Sequence, residues 1–306
     1  MSGLLEMLTV PLFQRALLAA LVVGVSAPVV GTFLVQRRLS LLGDGIGHVA
    51  LTGVALGWLV GAATGAARAD AYAVPGAVVA AVIGAVAIET VRGRGRTSGD
   101  LALALLFYGG IAGGVVVIGL AGGTNANLMA YLFGSLATVG TADLVAILVM
   151  SAAILTVGLG LRTALFAVSH DEEFARSTGL PVGALNIAVA VVAALTVTVS
   201  MRVVGLLLVS ALMIVPVAAS QLVARSFRQT MRLAMVIGAT ACVAGLVVTF
   251  VVPLAPGAVI VVLAIAIYAG VAALRPVLAR ARRRDGGSRE VNRGDATHDA
   301  AAGSAR

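Results

Sequence analysis

The chain contains no lysine, and all 21 of its Lys and Arg positions are arginine. A P-loop requires G-x-x-x-x-G-K-[ST], so this chain cannot form one, and any ATP-driven work it joins must use an ATPase on another polypeptide. Cysteine is nearly absent. Cys242 stands alone in an apolar run, which excludes an intramolecular disulfide and a thiolate metal cluster and leaves core packing. Charged residues are 11% of the 306 residues, where a soluble domain carries about 25%. Aromatics are 4%, so the net charge of +8 comes with neither the aromatics nor the soluble basic domain of a nucleic-acid binder. No H-E-x-x-H occurs, which removes a zincin-type protease, and no nucleophile–base set is recognisable. Ten-residue alternating segments, the mark of a β-barrel, are also missing.

What is present is apolar. The hydrophobic share is 60% and the mean hydropathy is +1.08. A water-soluble fold of this length could not cover such a chain with polar surface, so the expected class is an all-α polytopic transmembrane bundle. Nine apolar segments read as spans, at about 12–35, 45–65, 71–91, 101–121, 142–161, 181–200, 204–224, 231–251 and 256–275. Each approaches the roughly 20 residues a bilayer core requires, and the first hairpin leaves eight or nine as the count. The stretch Leu4–Val10 holds Glu6 and runs into a span, unlike a cleavable signal.

The arginines fall on one side of these spans. Arg37 and Arg38 follow the first, Arg92, Arg94 and Arg96 the third, and Arg162 and Arg176 the fifth. Arg225, Arg228 and Arg232 flank the seventh loop, while the other side holds little more than Arg15, Arg68 and Arg202. The positive-inside rule then predicts an outside N-terminus and a cytoplasmic C-terminus in a plasma membrane. Residues 1–279 form the membrane domain. Residues 280–306 are polar and basic, read as a disordered cytoplasmic tail that cannot bury enough apolar surface to fold.

Ionisable groups inside spans cost roughly 2.5–3.5 kcal/mol at a helix centre on insertion scales. Most acids here avoid that: Glu89 and Asp100 flank a loop and Asp143 opens a helix. Asp44 and His48 do not. Their i, i+4 spacing puts both on one helix face, with Thr52 continuing it. A carboxylate and an imidazole make a partial shell for Zn²⁺, Mn²⁺ or Fe²⁺. The bland readings stay open beside this: Asp44 as a helix N-cap, and His48 as a buried histidine bonded to it. Gly53, Gly57 and Gly61 lie on the opposite side as a close-packing ridge. One face would then pack tightly while the polar face looks into a cavity. Gly109, Gly110, Gly113 and Gly114 offer a second ridge, Pro28 and Pro216 are expected to kink their spans, and Ser210 and Met213 read as packing residues.

A second polar island, FAVSHDEEFARSTG, spans residues 166–179. Ser169 and Glu172 match a capping box, Asp171 and Glu173 suit the first-turn dipole, and Gly179 and Pro181 end the helix. The expected element is a short cytoplasmic helix over about 169–180, either a solvated loop helix or a docking element. Asn125, Asn127, Met129, Tyr131 and Phe133 lie in an outer, partly amphipathic stretch.

Together these islands resemble the permease family of zinc, manganese and iron ABC importers, most closely its zinc branch. The resemblance rests on QRRLSLLGDGIGHVALTGVALG at 36–57, NLMAYLFGSLATV at 127–139, SHDEEFARSTGLPV at 169–182 and VVGLLLVSALMIVPVAAS at 203–220. It implies two permeases, a homodimer in the membrane lipid of a bacterial cell, with cytoplasmic ATPase subunits and an external metal-binding protein. It implies no enzyme activity in this chain, no resident cofactor, and a transported ion, zinc first, manganese or iron next. Asp44 and His48 match positions of the metal path. Ser169, Asp171, Glu172, Glu173, Phe174 and Gly179 match the coupling helix. The rivals are a permease for a chelate such as a siderophore or cobalamin, and an ion-coupled secondary transporter, whose matched discontinuous helices are not seen.

Overall fold

The computed structural model describes residues 10–65, 71–93, 99–121, 129, 131–134, 140–201 and 204–275. Within these the regular structure is helical, and no strand occurs among the described residues. The long helices are α1 (Pro11–Gln36), α2 (Leu42–Ala63), α3 (Ala73–Gly93), α4 (Gly99–Leu120) and α5 (Thr141–Gly160). Two short helices follow, α6 (Arg162–His170) and α7 (Glu172–Ser177). Then come α8 (Val182–Ser200), α9 (Leu206–Gln221), α10 (Phe227–Val251) and α11 (Pro256–Arg275). The second family stretch lies largely, and the tail wholly, outside the described residues.

All nine expected apolar segments are helices. Eight are long and apolar enough to cross a membrane, and α9, at 16 residues, is shorter. At 1.5 Å per residue α9 covers about 24 Å of a roughly 30 Å hydrocarbon core. Proline at the first position opens α1, where its missing N–H removes no hydrogen bond. Pro28 and Pro216 both lie inside their helices.

Burial sorts the helices into a centre and a rim. In α1, α8 and α2, 72%, 67% and 61% of the apolar window is buried, against 22% in α4, α5 and α11. The rim helices show Leu105, Val116, Val149 and Val262 outward, as lipid-facing surfaces do. α2 packs between α3 and α4 and also meets α9; α1 packs on α10, α9 and α5. The centre is dense with Ala and Gly rather than large side chains, so helix backbones approach closely, as membrane helices do without a hydrophobic drive between them.

Candidate functional site

The start of α2 is set by a tight turn. α1 ends at Gln36, Arg37 is its C-cap, and Arg38 takes a left-handed φ of 58°. The Arg38 N–H reaches the Val35 carbonyl at 3.1 Å and the Leu39 N–H reaches Leu34 at 2.8 Å, closing the turn in Schellman fashion. α2 begins at Leu42 with Leu41 as N-cap and no side-chain cap. Asp44 is therefore not the N-cap. Its carboxylate lies in the first turn, where the helix dipole favours negative charge, and accepts a hydrogen bond from Ser210 Oγ of α9 at 3.2 Å.

His48 sits one turn further, 6% exposed. The edge of its ring meets Phe107 of α4, with centroids 4.4 Å apart and planes at 77°. Its Nδ1 is buried without a hydrogen-bond partner. A buried ring nitrogen that neither donates nor accepts costs free energy, which sets His48 apart from a histidine satisfied within the core. Thr52, the next residue on this face, donates to the Gly110 carbonyl of α4 at 2.8 Å. The polar face of α2 thus meets α4 through Thr52 and Gly110 and α9 through Asp44 and Ser210. The missing side chain of Gly110 lets α4 reach the α2 backbone at His48 and Val49.

The other face of α2 meets α3. A Cβ on Gly53 would strike the Gly76 carbonyl, and one on Gly57 would strike the Tyr72 carbonyl and come within 2.9 Å of Ala73 Cα. Gly61 is buried on the same helix. Of the second ridge, Gly110, Gly113 and Gly114 face α2, whereas Gly109 faces open space. Among the described residues no group of three His, Cys, Asp or Glu stands close enough to hold a metal ion.

The second island forms two helices rather than one. Ser169 belongs to the last turn of α6, is 8% exposed, and its Oγ is unpartnered. The N-cap of α7 is Asp171, whose Oδ1 accepts from the Phe174 N–H at 2.9 Å. The capping box drawn from Ser169 is therefore corrected: residues 162–170 are already helical, so the new helix starts two residues later. Glu172 and Glu173 fill its first turn, and Arg176 pairs with Glu172 at 3.3 Å on the exposed surface. Gly179, at φ 83°, closes it, with Leu180 N–H on the Ala175 carbonyl at 3.1 Å. Only Ala175 of α7 is buried; Phe174, an aromatic side chain, is 62% exposed.

The sequence profile of the ABC 3 transport family matches residues 9–275. The chain belongs to that family. This ABC 3 permease is 30% identical over 264 residues to the manganese transport system membrane protein MntC of Halalkalibacterium halodurans, covering 86% of this chain and 87% of that one. It is 31% identical to the chelated iron transport system membrane protein YfeD of Yersinia pestis, over 83% of this chain and 82% of that one. Among solved structures, PsaBC from Streptococcus pneumoniae in complex with Fab superposes with a TM-score of 0.76 at 30% identity, covering 88% and 95% of the two chains. The chain is thus a multi-pass permease of the metal-importer type and not the catalytic subunit, since ATP hydrolysis in such systems resides on a separate chain.

Two features of the permease escaped the sequence reading. Ser210, read as packing, is the hydrogen-bond partner of Asp44. Glu89, read as flanking a loop, is 7% exposed inside α3. Its Oε2 meets Arg92 Nη1 at 2.8 Å and its Oε1 lies 3.8 Å from Arg37 Nη2. The i, i+3 spacing to Arg92 was the only available signal; Arg37 comes from another helix.

Proposed function

We propose that this permease lines the passage for a divalent first-row transition-metal ion in an ATP-driven importer, with Asp44 and His48 as transient ligands. Membership in the ABC 3 family carries the reading. The placement of Asp44 and His48 on one face of a central helix, with a buried unpartnered Nδ1, supports the ligand role. A carboxylate oxygen and an imidazole nitrogen without thiolate suit manganese and iron as well as zinc. The relatives named for manganese and for chelated iron transport draw the expectation from zinc towards those two ions. Two protein ligands hold an ion weakly enough for it to leave, as conduction requires.

The assembly follows the same reading. Two copies of the permease, two cytoplasmic ATPase subunits and an external metal-binding protein make the importer, and α7 docks on the ATPase through its exposed Phe174, Glu172 and Glu173. Asp171 and Gly179 shape that helix at its two ends. The arginine-bearing ends of α1 and α3 and the α6–α7 pair face the cytoplasm.

The test is metal uptake in cells expressing the permease at native level with its partners. Asp44→Ala and His48→Ala are each expected to cut manganese or iron accumulation at least tenfold with unchanged permease abundance. Wild-type accumulation in both variants would remove the ligand role. One observation favours the chelate reading: the relative from Yersinia pestis is named for chelated iron. Competition between free ion and chelate in the same assay separates the two.

A further inference from the structure

Among the described residues Glu89 is the one buried carboxylate, and it is shared by two arginines. The two contacts differ. Arg92, one turn along α3, holds Oε2 at a hydrogen-bonding 2.8 Å, while Arg37 stands 3.8 Å from Oε1, an ion pair beyond hydrogen-bond length. Both the Arg37 and the Glu89 side chains are buried, at 7% and 8% exposure. The group carries two positive charges against one negative, so it holds a surplus positive charge next to Arg37.

The α1 end that carries Arg37 adjoins the α6–α7 pair. Burial pushes the Arg37 guanidinium below its ordinary value, Glu89 opposes this, Arg92 adds to it, and Glu172 of α7 opposes it again. Gln36, the residue before Arg37, has its Nε2 3.4 Å from His170 Nδ1, and His170 directly precedes the α7 N-cap Asp171. On its other side Arg37 leads through the left-handed turn at Arg38 into α2, whose first turn carries Asp44. A plain staple between α1 and α3 would not need these charges. Replacing a buried ion pair by apolar side chains of similar volume is often neutral or stabilising.

We propose that Arg37 is a positioning residue that links α7 to α2: loosely held by Glu89 at 3.8 Å and adjoining the Gln36–His170 contact beside the α7 N-cap, it shifts against Glu89 as α7 moves and carries that movement into the start of α2. Arg92 keeps Glu89 satisfied while Arg37 shifts. The inference rests on the reading of α7 as the ATPase-docking helix.

The experiment uses the full importer, permease with its ATPase subunit, in proteoliposomes. It reads three quantities: permease folding by size exclusion, ATPase co-purification, and manganese moved per ATP hydrolysed. The variants are Arg37→Lys, Arg37→Met combined with Glu89→Met, and Phe174→Ala. The double variant is expected to fold and to retain the ATPase, yet to move at least tenfold less metal per ATP. Arg37→Lys, which keeps the charge, is expected to stay within threefold of wild type. A double variant that couples like wild type overturns the link. So does one that fails to fold or loses the ATPase, since the cluster would then be a structural staple. Phe174→Ala separates the two readings: if it leaves the ATPase bound, docking through α7 falls and the link falls with it. If it releases the ATPase while the double variant couples normally, the link alone is wrong.

Discussion

Asp44 gains its setting from three directions: the dipole of α2 behind it, the Ser210 hydroxyl of α9 beside it, and His48 one turn above. A hydrogen bond to a charged group is worth about 1.5–3 kcal/mol, enough to hold the carboxylate in one orientation. Ser210→Ala is therefore expected to keep the fold and raise the metal concentration for half-maximal uptake several-fold, a milder loss than the at least tenfold drop expected of Asp44→Ala. Unchanged half-saturation in Ser210→Ala, measured with manganese at limiting concentrations, would sink the orienting role. The pair Asp44 and His48 was visible in the sequence because i, i+4 spacing is a local property of a helix. Ser210 was not, because its partner lies 166 residues away, and a serine in an apolar run has no pattern of its own. Glu89 was misplaced for the same reason: an acid near a helix end looks solvated until Arg37 arrives from α1.

At the scale of the helix, α2 is built with two unlike faces. Gly53 and Gly57 bring it against the α3 backbone, and the polar side meets α4 across Gly110. The atoms that a side chain on Gly57 would meet are the Tyr72 carbonyl and the Ala73 Cα, which are backbone and cannot swing aside. Gly57→Val must therefore push α2 from α3, and overpacking of this kind costs about 1–3 kcal/mol or more. The expected result is a clear drop in the melting temperature of the detergent-solubilised permease, whereas Gly109→Val, which faces open space, leaves it unchanged. Equal melting of both variants would count against α2–α3 contact at this point. α7 shows where the local signal ran out. Ser169, Asp171, Glu172 and Glu173 all have residue types suited to a helix start, and only the continuation of α6 to His170 selects Asp171. Its stop was clear, because Gly179 at φ 83° is a position that other residues adopt at a cost of roughly 1–2 kcal/mol.

For the whole molecule, the end of the bundle that meets the cytoplasm follows from whether α9 crosses. With eight crossings the two ends of the membrane domain lie on one side; with nine they lie on opposite sides. α9 covers about 24 Å, short of a roughly 30 Å hydrocarbon core. Its neighbours bear on the shortfall: it packs against α1, α2 and α10 within the bundle, and irregular backbone at membrane depth is tolerated where protein surrounds it. Counting α9 as a crossing puts Arg37, Arg92, Arg176 and Arg225 at one face, as the positive-inside rule asks. Omitting it would carry Arg225, Arg228 and Arg232 to the opposite side. Nine crossings therefore predict that the segment before α1 is external and the segment after α11 cytoplasmic. A green fluorescent protein fused after Arg275 should fluoresce and alkaline phosphatase at the same point should be inactive. An epitope placed before Pro11 should be labelled in intact cells. Active phosphatase after α11, with Arg225 open to external labelling when replaced by cysteine and the epitope before Pro11 still labelled, would show that α9 does not cross.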